Sequence, residues 1–178
     1  VTINDIKKYK AESNSISYGQ VLFEDYSYGE ALLVVKEMVE LACLDLVDKG
    51  VVSNNLFLSI GYSKDTIKAT GGSMKIIEQT NSYKIINTYF LELYKKYTKE
   101  NYPIRKIHIG FNNVIKEEDA NINLFCDNEE LEKEKRMQEA ILNIKKKYGK
   151  NAILKGMNLE EKATTKSRNK LIGGHNGE

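Results

Sequence analysis

The chain has 178 residues, 41% of them apolar and 29% charged, with a formal net charge of +2. This is the make-up of one globular domain with a sizeable core plus an extension, and it excludes a disordered chain. No apolar run approaches the roughly 20 residues of a membrane-spanning helix, and Cys43 and Cys126 stand far apart outside any paired-cysteine motif, so no membrane partner, disulfide framework or thiolate metal site is expected.

Residues 1–14, with Lys7, Lys8 and Lys10, lack apolar periodicity and read as a basic linker. Val1-Thr2-Ile3 is neither a signal peptide nor a usual translation start, so a cytoplasmic piece of a longer protein is expected. The domain proper is expected over 15–116. Ser15 to Leu22 alternates as a strand. Tyr28, Leu32, Val35, Val39, Ala42 and Leu46 recur at helical spacing between a Ser27 N-cap and a Gly50 stop, with Cys43 in the helix core. In the next strand Leu56, Leu58, Ile60 and Tyr62 alternate with Phe57, Ser59 and Gly61. Lys64 to Gly72 has the character of a hairpin connection, Gly71-Gly72 read as a turn, and Ser73 to Ile77 is extended again. Asn81 or Ser82 can cap a second helix, whose stripe is Ile85, Ile86, Tyr89, Leu93 and Tyr97. Pro103 marks entry to a last strand, where a missing amide donor is tolerated. There Ile107, Ile109 and Phe111 alternate with Lys106, His108, Gly110 and Asn112.

The order β-α-β-β-α-β predicts an α+β domain: a four-stranded antiparallel sheet with two helices on one face and the other face open. A spacer, 117–127, holds the apolar pentapeptide Asn121-Ile122-Asn123-Leu124-Phe125 between acidic flanks; such a peptide suits a partner's groove better than a core. Residues 128–178 form a helical tail. Its helix, about Asn128 to Tyr148, is acid-rich at its start and lysine-rich at its end, as the helix dipole favours, with a stripe of Leu131, Gln138, Ile141, Ile144 and Tyr148. Beyond it no periodicity fixes a structure, and Gly173-Gly174 read as a turn.

Charge is unevenly spread. Residues 1–116 carry 15 basic and 13 acidic side chains, but Glu24, Asp25, Glu30, Glu37, Glu40, Asp45 and Asp48 fall in one stretch around the first helix. The strands and linker are therefore basic, which points to a polyanion or to ordinary solvated surface. Lys68, Lys75, Arg105 and Lys106 can neutralise phosphates, while Ser15, Ser17, Thr70, Ser73 and the small glycines let main-chain amides approach phosphate oxygens. An open face with few aromatic residues disfavours stacking on unpaired bases; Phe57 is the exception, with packing its expected use. His108 and His175 are the only histidines and have no metal-ligand spacing, and Glu117-Glu118-Asp119 reads as a solvated run. No catalytic or metal-binding residue is assigned. An RNA-binding module of similar topology and a protein-interaction domain remain open.

Taken together, Ser15-Ile16-Ser17-Tyr18-Gly19-Gln20-Val21-Leu22, Asp25-Tyr26-Ser27-Tyr28, Ile60-Gly61-Tyr62-Ser63, Pro103-Ile104-Arg105-Lys106-Ile107 and Arg168-Asn169-x-x-Ile172-Gly173-Gly174-His175 resemble the C-terminal part of Y-family translesion DNA polymerases of the UmuC-like, ImpB/MucB/SamB type. The resemblance implies a little-finger domain that grips double-stranded template-primer DNA. By position it gives phosphate contact to Ser15 and Ser17, to Thr70, Gly71 and Ser73, and to Arg105, Lys106 and His108. It makes Asn121, Ile122, Asn123, Leu124 and Phe125 a sliding-clamp-binding peptide, with asparagine where the family usually has glutamine. It implies that the parent is a nucleotidyltransferase using magnesium in a palm that these residues lack, so this piece needs no cofactor and holds DNA without extending it.

Overall fold

The computed structural model describes residues 14–64, 66–121, 128–172 and 175–176. The chain begins with β1 (Ile16–Tyr26), α1 (Tyr28–Lys49), β2 (Val51–Tyr62) and β3 (Thr70–Thr80). It continues with α2 (Tyr83–Tyr97), β4 (Ile104–Asn112) and a two-residue β5 (Ile115–Lys116). The extension holds α3 (Asn128–Tyr148), a short α4 (Thr165–Arg168) and a small ribbon of β6 (Leu171–Ile172) and β7 (His175–Asn176). The sheet order is β1-β4-β2-β3, every pairing antiparallel, and β5 adds a fifth strand against the start of β2. The predicted fold is therefore present, enlarged by β5.

Local chemistry sets the ends of α1. The Ser27 hydroxyl accepts from the Glu30 amide at the first turn, and Gly50 closes the last at φ 65°, a left-handed conformation natural to glycine. The helix is buried over much more than its predicted stripe. Ala31, Val34, Val35, Val39, Ala42, Cys43 and Leu46 are fully enclosed, and so is Glu37, because the sheet, α2, α3 and the tail all pack on α1.

Ser82 caps α2 by accepting from the Ile85 amide. Its buried face runs through Ile86, Phe90, Leu93 and Tyr94, while Ile85, Tyr89 and Tyr97 form a half-buried rim. The predicted stripe was thus rotated: Phe90 stands edge-on to Phe111 of β4 at 5.8 Å, and Tyr94 packs on Tyr28 and donates to its carbonyl at 2.7 Å. Leu22, Leu56, Leu58, Ile60, Ile107, Ile109 and Phe111 supply the sheet's side of the core.

Two further expectations are corrected. Gly71 and Gly72 lie in β3, paired with Ser59 and Leu58, and are not a turn. A Cβ on Gly71 would sit 2.2 Å from the Leu58 carbonyl oxygen, and one on Gly72 would strike the Tyr97 ring at 2.2 Å, so close approach explains both glycines. In α3 the buried residues are polar, Glu134 and Gln138, while Ile144 and Tyr148 are exposed. The Glu134 carboxylate accepts from the Ser82 hydroxyl and from the Lys84 amide at 3.0 Å, and the Gln138 side chain donates to the Asn81 carbonyl at 3.3 Å. The helix docks by capping α2.

The rest of the extension is fastened to α1 and β1. One Glu37 oxygen accepts from the Thr164 amide at 2.8 Å; the other accepts from the Asn158 side chain at 2.7 Å and the Thr165 amide at 3.2 Å. Gln20 donates to the Thr164 hydroxyl at 2.8 Å, and Tyr26 to the Lys162 carbonyl at 3.0 Å.

Candidate nucleic-acid interface

Strand alternation places one set of side chains under the helices and the other on an uncovered face. The registers assemble the open set into rows. Gly19, His108, Ser59 and Gly71 form one, and Ser17, Gly110, Phe57 and Ser73 the next. Asn112, Asn55 and Lys75 continue on one side, and Val21, Lys106 and Gly61 on the other. Among the described residues these rows contain no carboxylate, and Lys75, Lys106 and His108 are exposed. A surface this poor in acids and rich in hydroxyls and glycines presents positive charge with little steric cover.

The sequence-assigned residues do not all share this surface. Ser17, Gly71, Ser73, Lys106 and His108 do, and Ser15 is exposed just ahead of β1. Thr70 has the opposite parity: it pairs with the buried Ile60, and its hydroxyl is hydrogen-bonded to the Tyr62 hydroxyl at 2.7 Å on the helix side. Arg105 also departs from the pattern. Between Ile104 and Lys106, β4 has one residue more than β2 across the ladder, so Arg105 is the extra residue of a bulge. Its guanidinium lies 3.6 Å from the Asp25 carboxylate, which also accepts from the Ser63 hydroxyl. Lys106, next to it, has no ion-pair partner among the described residues.

Phe57 lies over Gly110, where a Cβ would come within 2.1 Å of its ring, and it meets His108 edge-on at 5.3 Å. Its face is thus used in packing, as expected, and Gly110 is buried beneath it although it is on the open side. Sequence reading missed the apolar margin of this face: Val21 is 60% exposed, Phe23 73% and Ile77 86%. Their signal was available, since all three share the parity of their neighbouring open-face residues. Asn121 is exposed, and its amide donates to the Gln79 side chain at 2.8 Å. Ile122, Asn123, Leu124 and Phe125 lie outside the described residues. No group of three or more His, Cys, Asp or Glu among the described residues is placed to hold a metal.

On the helix side, acids and cations are matched. Glu24 and Glu30 share Lys162, Asp48 takes Lys146, Asp45 takes Lys49, and Glu40 has Lys155 at 3.5 Å. Burial raises the Glu40 carboxyl above the usual range against the pull of Lys155 and Lys145. Burial and the Asp45 carboxylate likewise raise the Tyr18 phenol, which donates to Asp45. The acidic helix is therefore largely neutralised by local and tail lysines, and the open sheet face is not.

The sequence profile of the impB/mucB/samB family C-terminal domain matches residues 11–124. The chain belongs to that family. The relative "Putative UV-damage repair protein UvrX" of Bacillus subtilis (strain 168) is 29% identical over 164 residues, which cover 90% of this chain and 39% of UvrX. The chain thus spans about two-fifths of that relative's length. Among solved structures, the post-insertion binary complex of Dbh DNA polymerase superposes with a TM-score of 0.42 at 13% identity, over 57% of this chain and 29% of that one. The little finger domain of PolIV, solved in complex with the beta-clamp processivity factor, superposes with a TM-score of 0.44 at 6% identity, over 64% of this chain and 100% of that one.

Proposed function

We propose that this domain holds double-stranded template-primer DNA by its phosphate backbone, as the little finger of a cytoplasmic, error-prone lesion-bypass polymerase. The observation that carries the proposal is the open sheet face: Lys75, Lys106 and His108 stand among serines and glycines, and no carboxylate shares their rows among the described residues. Cations of this kind bind phosphates without reading bases, so affinity falls with salt and is indifferent to sequence. The relative's name, "Putative UV-damage repair protein UvrX", accords with this role. The parent's polymerisation chemistry, with its magnesium, belongs to a palm whose residues this sequence lacks; the domain's own part is to hold the duplex.

Docking on a sliding clamp completes the proposal. Asn121-Ile122-Asn123-Leu124-Phe125 follows the last strand of the sheet, where the family carries its clamp peptide, and Leu124 and Phe125 would fill the clamp's pocket. Two titrations test the two halves. Lys75→Glu combined with Lys106→Glu should weaken duplex binding at least tenfold at low salt, equally for unrelated sequences; an unchanged anisotropy curve removes the assigned face. Leu124→Ala with Phe125→Ala should abolish clamp pull-down while the melting temperature stays put, and clamp capture that survives removes the docking half.

A further inference from the structure

The C-terminal extension bears cations that the acidic helix does not use. Lys146, Lys155 and Lys162 are paired with carboxylates, whereas Lys150, Lys166, Arg168 and Lys170 have no ion-pair partner among the described residues. Two of these four, Lys150 and Arg168, line a cleft with Gly19 and Gln20 of β1, and no carboxylate lines it. β1 is the edge strand of the sheet on this side. Gly19, exposed and lining the cleft, is the ladder partner of His108, so the open face and the cleft meet at one residue.

The two cations are held in place by bonds between distant parts of the chain. Lys150 follows the turn at Gly149, whose φ of 103° ends α3, and it precedes Asn151. The Asn151 side chain donates to the Lys166 carbonyl at 3.0 Å and accepts from the Asn169 side chain at 2.8 Å, which ties the turn bearing Lys150 to the segment bearing Arg168. That segment is fixed to α1 by Glu37, through the Thr164 and Thr165 amides, and to β1 by Gln20. Arg168 is half-buried and carries its charge there without a carboxylate among the described residues; burial lowers its guanidinium's proton affinity. A partly desolvated cation without a counter-ion gains when an anion pairs with it. A neighbouring strand lies only about 5 Å from β4, so a phosphate backbone crossing Lys106 and His108 reaches the cleft within a few nucleotides.

We propose that Lys150 and Arg168 form a second phosphate-binding site at the β1 edge, extending the duplex track of the open sheet face onto the C-terminal extension. The site rests on the reading of that face as a duplex-binding surface, and it gives the Arg168-Asn169 pair of the tail a role: one holds phosphate, the other holds the turn that brings Lys150 beside it.

The test is a salt titration of duplex binding by fluorescence anisotropy on the full 178-residue chain. Lys150→Glu with Arg168→Gln should lower affinity about tenfold and flatten the slope of log K against log salt by about 1 to 2, since each lost phosphate contact removes about 0.9 from it. Lys133→Glu, an exposed charge change on α3, should leave both unchanged. Wild-type affinity and slope in the tail variant, while Lys75→Glu with Lys106→Glu still loses binding, would overturn the second site and leave the sheet reading standing. Equal weakening by Lys133→Glu would also overturn it, as a bulk-charge effect. A wild-type chain that binds no duplex defeats the sheet reading itself. If Arg168→Gln lowers the melting temperature, Lys150→Glu alone decides: it should flatten the slope by about 1, and an unaltered slope rejects the site.

Discussion

On the helix-covered side, each buried carboxylate meets partners from far along the chain: Glu37 is met by Asn158 and the Thr164 and Thr165 amides, Glu40 by Lys155, and Glu134 by Ser82 and the Lys84 amide. On the open side, Lys75 and Lys106 have no ion-pair partner among the described residues, and small residues surround them. Charge under the helices is spent on folding, because a buried ion left unpaired is far more expensive than one in water. Charge on the open face costs the fold almost nothing and stays available to a ligand. Substitutions on the two sides should therefore separate stability from binding.

The largest effect is expected where one carboxylate fastens the extension. Glu37→Ala leaves two amides and an amide side chain without their acceptor, and should lower the unfolding free energy by about 3 kcal/mol in urea titrations. Amide protection should fall first over residues 156–169. Gly71→Ala comes next, at about 2 kcal/mol, because its Cβ meets backbone that cannot rotate away. That loss should appear with no DNA present; if stability is unchanged and only DNA binding suffers, then close approach of a ligand, and not of β2, accounts for the glycine. Lys75→Glu with Lys106→Glu should move stability by no more than about 0.5 kcal/mol while removing most duplex affinity. A large drop in melting temperature for this pair would erase the contrast between the two faces.

The smallest effect concerns pH. Burial raises the Glu40 carboxyl, so the folded state holds its proton more tightly than the unfolded one. The stability that this contributes is present below the unfolded carboxylate pKa of about 4.3 and is lost as pH rises through the raised value. Glu40→Gln, which stays neutral, should therefore match or exceed the wild type in urea midpoint at pH 7, and the difference should shrink as pH falls toward 4. A variant less stable at pH 7 than at pH 4, relative to wild type, would mean that the Lys155 pair outweighs burial.

What could be read in the chain was local. Ser27, Gly50, Ser82 and Pro103 bound their elements by capping and by backbone restriction, which act over a few residues. The alternation of Leu56 to Tyr62 and of Lys106 to Asn112 sorts buried from open positions, because a strand has only two faces. Misreadings arose where a distant partner changed the meaning of a residue. Gly71-Gly72 looked like a turn because their reason for being glycine, the Leu58 backbone and the Tyr97 ring, is not written beside them. Thr70 and Arg105 were grouped with the open face, but pairing parity and a bulge decide their sides.

The sequence by itself determined the element order, the helix caps and the separation of basic strands from an acidic helix, since these depend on short-range periodicity and composition. Only the tertiary structure decided that Glu37 and Glu134 are buried, that tail lysines neutralise part of α1, and that Lys150 and Arg168 come to lie beside β1. A charged side chain reads as solvated in any local window; whether it is so depends on what the rest of the chain brings against it, and the Glu37 contacts span more than 120 positions.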